Sequence, residues 1–336
     1  MEVLADRLLE AGCGRDAGGS GNGGSNGSHG GPPVLCPTMV PAAGRDRVPG
    51  YNRPVTGPVL ELQREDLELE VGGARVVARR LWPGAAAAAA PTLVLLHEGL
   101  GCVDAWRAFP ERLVRATGLP ALLYDRRGYG RSSALDRPWG VDYLHRAALE
   151  ELPAVLAACA VERPLLVGHS DGGTIALLAA AHHDPVAVVT EAAHAFVEEA
   201  TRTGIRRTEL RWASGELRRG LERLHGPKAE SIFRSWADTW LAPWFDGWSI
   251  TGELPAVTCP ALLLQGADDE YATPGHLAEI AARLGGPGRA ELLPGCGHAP
   301  HHEAPTVVID LIVDWLSSWM PSLSTPALGQ GAGRGA

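Results

Sequence analysis

No two cysteines in this sequence stand at C-x-x-C spacing. Cys13, Cys36, Cys102, Cys159, Cys259 and Cys296 are scattered over 336 residues, which suggests no zinc site and fits reduced thiols in a cytoplasm better than a disulfide framework. Positive charge is also scarce, with 30 Lys and Arg against 39 Asp and Glu, a net charge of −9 and a pI near 5.7. No concentrated basic stripe compensates, so a nucleic-acid partner held through phosphates is not expected. The stretch from Arg202 to Arg219 is interrupted by Glu209 and Glu216 and reads as a solvated helix face. Long apolar runs are missing too. The longest, residues 85–96, contains Pro91 and is too short to span a bilayer, so no membrane partner is expected. Glu2 and Asp6 stand where a secretory signal needs a basic segment and then an apolar one, so the expected location is cytoplasmic.

What the chain does contain is a hydrophobic content of 45%, ordinary for a globular protein with a sizeable core. Residues 17–33 are almost entirely Gly, Ser and Asn. With so few apolar groups to offset ordering entropy, residues 1–57 read as a disordered Gly/Ser/Pro-rich extension, with Met39 as an alternative start. A second disordered tail is expected over residues 323–336. From Glu65 the pattern becomes strand-like. EDLELEV and ARVVARRLW flank Gly72 and Gly73, a hairpin signal. TLVLLH (92–97), ALLYD (121–125), PLLVGH (164–169) and VAVVTEA (186–192) then alternate with helical segments, as right-handed β-α-β crossovers in a mainly parallel sheet require. ALLLQG (261–266) and AELLPG (290–295) extend that sheet, and residues 307–319 read as a closing helix after Pro305.

Between the strands near Val188 and Ala261 lie about seventy helical-looking residues, more than a connection needs. They are expected to form a cap over residues 195–256, dividing a core of residues 58–194 and 257–322. Trp236, Trp240 and Trp244 recur every four residues, which places them on one helical face. Aromatic stripes usually pack inward, so cap core and substrate contact are both expected of this set, with Trp240 in the middle the core anchor.

Within VGHSDGG (167–173), Gly168, Ser170 and Gly172 match G-x-S-x-G between an apolar strand and an apolar helix. Such a turn exposes Ser170 Oγ at a helix N-terminus, where free N–H groups favour negative charge. Serine is a poor nucleophile at neutral pH and needs a base. Later strand ends supply candidates, since Asp268 and Asp269 follow ALLLQG and His298 follows AELLPG. His298 would take the serine proton and a carboxylate would hold its imidazole. The N–H of Asp171 and one from LLHEGLG (95–101), Gly99 or else Leu100, would face the developing oxyanion.

With these motifs assembled, residues from about 65 to the closing helix resemble the α/β-hydrolase superfamily. LLHEGLG, YDRRGYGRS (124–132), VGHSDGG, LLLQGADDEY (262–271) and PGCGHAPHHEAP (294–305) carry the resemblance. It implies an α/β-hydrolase fold, a mainly parallel eight-stranded sheet flanked by helices, with a helical cap insertion. In that superfamily G-x-x-D supplies the acid, which selects Asp269, with Asp268 as the fallback. The usual H-G-x-G loop here carries Glu98 beside His97. That pair is similar to the loop of dienelactone hydrolases, whose nucleophile is a cysteine. Haloalkane dehalogenases and epoxide hydrolases use aspartate at the nucleophile position, so Ser170 counts against them.

The resulting expectation is a cofactor-independent serine hydrolase for a small carboxylic ester, with no metal. Lactone, thioester or C–C bond hydrolysis by the same groups is the alternative, and a non-catalytic small-ligand receptor is the alternative of a different class. His97, Glu98, His194, Trp236, Trp240 and Trp244 are the candidate substrate-binding residues. Several have plainer readings. Glu98 suits bracing of its loop, Asp171 suits a helix N-terminus, and His194 follows a strand end where pocket lining and surface placement both stand. Asp125 and Arg126 suit bracing of a Gly-rich turn. His298, His301, His302 and Glu303 could suggest a metal, but adjacent histidines point apart and Glu303 suits the helix that follows. A homodimer is left open.

Overall fold

The computed structural model describes residues 38–39, 61–84, 90–135 and 138–320. The calls on the N-terminal extension and the C-terminal tail otherwise lie outside the described residues. The strands are β1 (Thr38–Met39), β2 (Leu62–Val71), β3 (Ala74–Pro83), β4 (Thr92–Leu96), β5 (Ala121–Tyr124), β6 (Pro164–His169), β7 (Ala187–Glu191), β8 (Ala261–Gly266) and β9 (Gly288–Leu293). They form one sheet in the order β1-β9-β8-β7-β6-β4-β5-β3-β2. All neighbours are parallel except β5 with β3 and β3 with β2.

The eight strands read from the sequence are all present. The hairpin turns at Gly72 (φ 54°) and Gly73 (φ 73°), with Val71 opposite Ala74. Two consecutive positive φ angles are what a tight hairpin turn demands, and glycine meets them without strain. β1 corrects one expectation. Thr38 and Met39 fall in the segment expected to be disordered, yet they pair with Glu291 and Leu292. The free edge of β9 offers unpaired backbone groups that such a short strand can satisfy.

Alternation along the strands divides the core. Val94, Leu96, Leu122, Tyr124, Leu166 and Val188 face one side with the buried helix Asp171–His182. Leu93, Leu95, Leu123, Leu165, Val167 and Val189 face the other, against the helices Phe109–Thr117 and Pro305–Trp319. Both faces are covered, so the central strands are apolar throughout rather than alternating with polar residues. Helices Glu199–Ala213, Glu216–His225 and Ala229–Leu241 lie between β7 and β8 in the chain, within the expected cap. Trp212 stacks on Phe233 at 4.3 Å, and both join the core cluster on the first face of the sheet.

The chain leaves β4 for β5 on one side and then crosses to β6 on the other. Connections that diverge like this leave a crevice beyond the carboxyl ends of β4 and β6, where ligands of open α/β sheets bind. Among the described residues, no helix is long and apolar enough to cross a membrane.

Candidate active site

The turn after β6 is held by close approach. A Cβ on Gly168 would overlap the Gly172 carbonyl, and one on Gly172 would overlap the Leu96 carbonyl. Strand and helix can therefore meet only if both positions are glycine. Between them Ser170 takes φ 52° and ψ −118°, a strained conformation for a side chain. Gly172→Ala should cost about 3 kcal/mol, roughly 6 °C or more in Tm, because the obstacle is backbone rather than a movable side chain. Thermal denaturation checks this, and an unchanged Tm would mean that the turn is not held by that contact.

His298 lies on the loop after β9 and Asp269 on the loop after β8. Ser170 Oγ is 3.0 Å from His298 Nε2, and His298 Nδ1 is 2.8 Å from Asp269 Oδ1. With Nδ1–H donating to the carboxylate, Nε2 is left to accept from the hydroxyl. Asp269 Oδ1 also accepts from the N–H groups of Tyr271 and Ala272, at 2.9 and 3.2 Å. Burial pushes the Asp269 carboxyl up, but His298 and the Tyr271 N–H outweigh it and hold the group at about 2. Asp268 is exposed and points no bond at His298.

Ser170 opens onto a cavity of about 90 Å³. Glu98, Gly99, Leu100, Asp171 and His298 form its core side, while Thr201, Ile205, Trp236 and Trp240 close it from the cap. Gly99 and Leu100 are the central residues of a turn in which the Gly101 N–H donates to the Glu98 carbonyl at 3.2 Å. Asp171 is the first residue of its helix, so its N–H has no acceptor within the helix. The Asp171 side chain is buried and accepts from Tyr143 O–H at 3.1 Å, and burial raises its pKa. Tyr143 in turn accepts from Trp240 Nε1–H at 2.9 Å. Trp236 lies against Gly99, where an added Cβ would come within 2.6 Å of its ring.

Two of the candidate residues sit elsewhere. Trp244 is corrected: it does not line the cavity and is 55% exposed. Pro243 drives the preceding Ala242 to ψ 138°, so the helix stops at Leu241 and Trp244 leaves the face shared by Trp236 and Trp240. His97 is corrected as well, being buried beneath the loop rather than in the cavity. Its Nδ1–H donates to the Glu98 carbonyl at 2.8 Å and its Nε2 accepts from the Arg126 N–H at 3.2 Å. Burial holds the ring neutral. Arg126 Nη2 also donates to the Glu98 carbonyl at 2.9 Å, and Asp125 accepts from the N–H groups of Val103 and Arg131 at 2.7 and 2.8 Å.

His194 is buried and lines the cavity, its ring 5.8 Å from that of His298. Burial and the neighbouring His276 and His298 lower its pKa to about 3, so it is neutral. Glu303 accepts from the N–H groups of Gly297 and Ala299 at 2.8 and 3.1 Å, while His301 meets Glu191 at 3.1 Å. The sequence motifs assign no role to Tyr271, Tyr143, His225 or His169. Tyr271 packs its ring 4.7 Å from that of His298, and its place in LLLQGADDEY beside Asp269 was the available signal. His225, on the cap, donates from Nε2 to the Leu100 carbonyl at 3.0 Å, a long-range contact with no local signature.

A model of the alpha/beta hydrolase family matches residues 93–311. The human protein named serine hydrolase BPHL is 31% identical over 191 residues, 53% of this chain and 62% of that protein, so less than two thirds of its length is matched. A proline iminopeptidase of Lactobacillus delbrueckii subsp. lactis is 24% identical over 266 residues, 67% of this chain and 90% of that protein. The crystal structure of the enol-lactonase from Burkholderia xenovorans LB400 superposes with a TM-score of 0.58 at 19% identity, covering 75% of this chain and all of that one.

Proposed function

Because this chain belongs to the alpha/beta hydrolase family, we propose that it is a serine hydrolase cleaving a small carboxylic ester, or a related acyl bond, through an acyl-enzyme intermediate. The observation that carries this reading is the hydrogen-bonded chain from Ser170 through His298 to Asp269 at the mouth of the cavity. Ser170 Oγ adds to the substrate carbonyl carbon while its proton passes to His298 Nε2. The carbonyl oxygen becomes an oxyanion facing the N–H groups of Asp171 and Gly99. His298 then gives the proton to the leaving alcohol as the C–O bond breaks. Water, deprotonated by His298, attacks the acyl-enzyme and releases the acid with Ser170 restored.

A cavity of about 90 Å³ roofed by Trp236 and Trp240 favours a short acyl group. Fluorophosphonate labelling located on Ser170, with a series of p-nitrophenyl esters of increasing chain length, tests the proposal. Labelling should be stoichiometric and kcat/KM should fall from short to long acyl chains. Absence of labelling would overturn it in favour of a non-catalytic ligand receptor.

The two tryptophans should respond differently. Trp240 is 2% exposed, donates to Tyr143 and packs on Phe245 and Trp248 at 5.2 and 5.4 Å. Trp240→Ala should lower stability by about 3 to 5 kcal/mol. Trp236→Ala, beside Gly99, should instead raise the ratio of long-chain to short-chain kcat/KM. Parallel melting curves and ester kinetics decide, and an unchanged ratio in Trp236→Ala removes that residue as selector. A second reading comes from the proline iminopeptidase relatives. Aminoacyl p-nitroanilides therefore belong in the same screen.

A further inference from the structure

His169 is buried directly before Ser170, and both of its ring nitrogens face acceptors. Nε2 is 2.8 Å from the carbonyl oxygen of His298, and Nδ1 is 3.6 Å from Glu98 Oε2. A carbonyl and a carboxylate can only accept, so the arrangement suits an imidazolium carrying a proton on each nitrogen. Glu98 turns back to reach it, and a Cβ on Gly101 would occupy the space of the Glu98 carboxylate. The backbone of Glu98 is separately tied to Arg126 and His97.

We propose that Glu98 and His169 are positioning residues, an ion pair that joins the loop of Gly99 to the loop of His298 across the back of Ser170. The inference rests on the serine hydrolase reading. It gives Glu98 a role through His169 rather than through substrate. His169 pulls the His298 backbone toward the serine by a charge-assisted hydrogen bond, while Glu98 fixes the residue whose neighbour supplies the oxyanion N–H. The other groups around His169 agree with a cation there. Glu191 at the end of β7 adds a second negative charge, while Trp106, His298 and His301 contribute rings at 6.4, 5.1 and 4.7 Å. The His302 ring lies 4.1 Å from that of His301, tilted by 48°, and burial lowers its pKa to about 4, so it is neutral. Burial opposes a charge on His169, yet Glu98, Glu191 and the His298 carbonyl together outweigh it and raise its pKa.

A group with a raised pKa keeps its contribution at low pH and loses it as pH rises through the folded value. Turnover should therefore fall on the alkaline side when His169 loses its proton. The test compares pH profiles of kcat and KM on a short p-nitrophenyl ester for wild type, Glu98→Gln, His169→Ala and His169→Gln. Glu98→Gln should move the alkaline limb to lower pH with KM nearly unchanged. His169→Ala should lower kcat roughly 10- to 100-fold. His169→Gln, whose amide N–H reaches the His298 carbonyl without titrating, should recover most of that loss and abolish the shifted limb. Wild-type kcat and pH dependence in both Glu98→Gln and His169→Ala would overturn the inference, as would a change confined to KM in Glu98→Gln. Those failures are distinct from failure of the serine hydrolase reading, which shows as absence of fluorophosphonate labelling at Ser170 in the wild type.

Discussion

Ser170→Ala should reduce turnover by about 10⁶-fold and abolish fluorophosphonate labelling, while the melting temperature stays close to wild type. The loss is large because Ser170 Oγ is the hydroxyl hydrogen-bonded to His298 Nε2, at 3.0 Å. Stability should hardly change because the strain at φ 52° belongs to the backbone, which alanine shares, and the backbone N–H of residue 170 keeps its 2.8 Å bond to the Glu191 carbonyl. Activity assay, labelling and calorimetry on one preparation check all three parts. Substantial turnover in the variant would mean that another nucleophile is used.

Asp269→Asn should lower kcat by about 10⁴-fold, since an amide can present its N–H to His298 Nδ1 and favour the tautomer that cannot accept the serine proton. Asp268→Asn should leave kcat within a few-fold, because Asp268 is exposed and makes no bond to His298. The ionised Asp269 also stabilises the fold in a definite pH window. Its pKa lies below the ordinary 3.8, at about 2, so its contribution is present above 3.8 and is lost as pH falls through about 2. The stability gap between wild type and Asp269→Asn should close over that interval. A gap independent of pH there would assign the stabilisation to packing instead.

How much of this was legible in the chain depends on whether each feature is local. The strands β4 to β8 announce themselves as short apolar runs because both faces of the sheet are covered, and Gly72-Gly73 announces the hairpin because few other residues adopt its backbone angles. The glycines around Ser170 were equally readable, since a Cβ at either position collides with backbone. At Trp244 one local signal overrides another. Its spacing fitted the helical face, but Ala242-Pro243 ends the helix, and a proline's steric demand on the preceding residue overrides periodicity.

Chain order put Ser170, Asp269 and His298 at successive strand ends, and local chemistry marked each as a candidate. Which atoms meet was settled only by the fold. The divergence of β5 and β6 on either side of β4 creates the crevice, and residues separated by 29 and 128 positions close to 2.8 and 3.0 Å within it. The same holds for the pairing of Glu98 with His169, the burial of His97 under Arg126 and the reach of His225 from the cap to Leu100. Such contacts leave no periodicity or spacing in one sequence, because the free energy of each depends on the geometry of two segments brought together by packing elsewhere. Turns and strands depend on neighbouring residues and can be read from them, whereas a buried charge depends on what the rest of the chain places beside it.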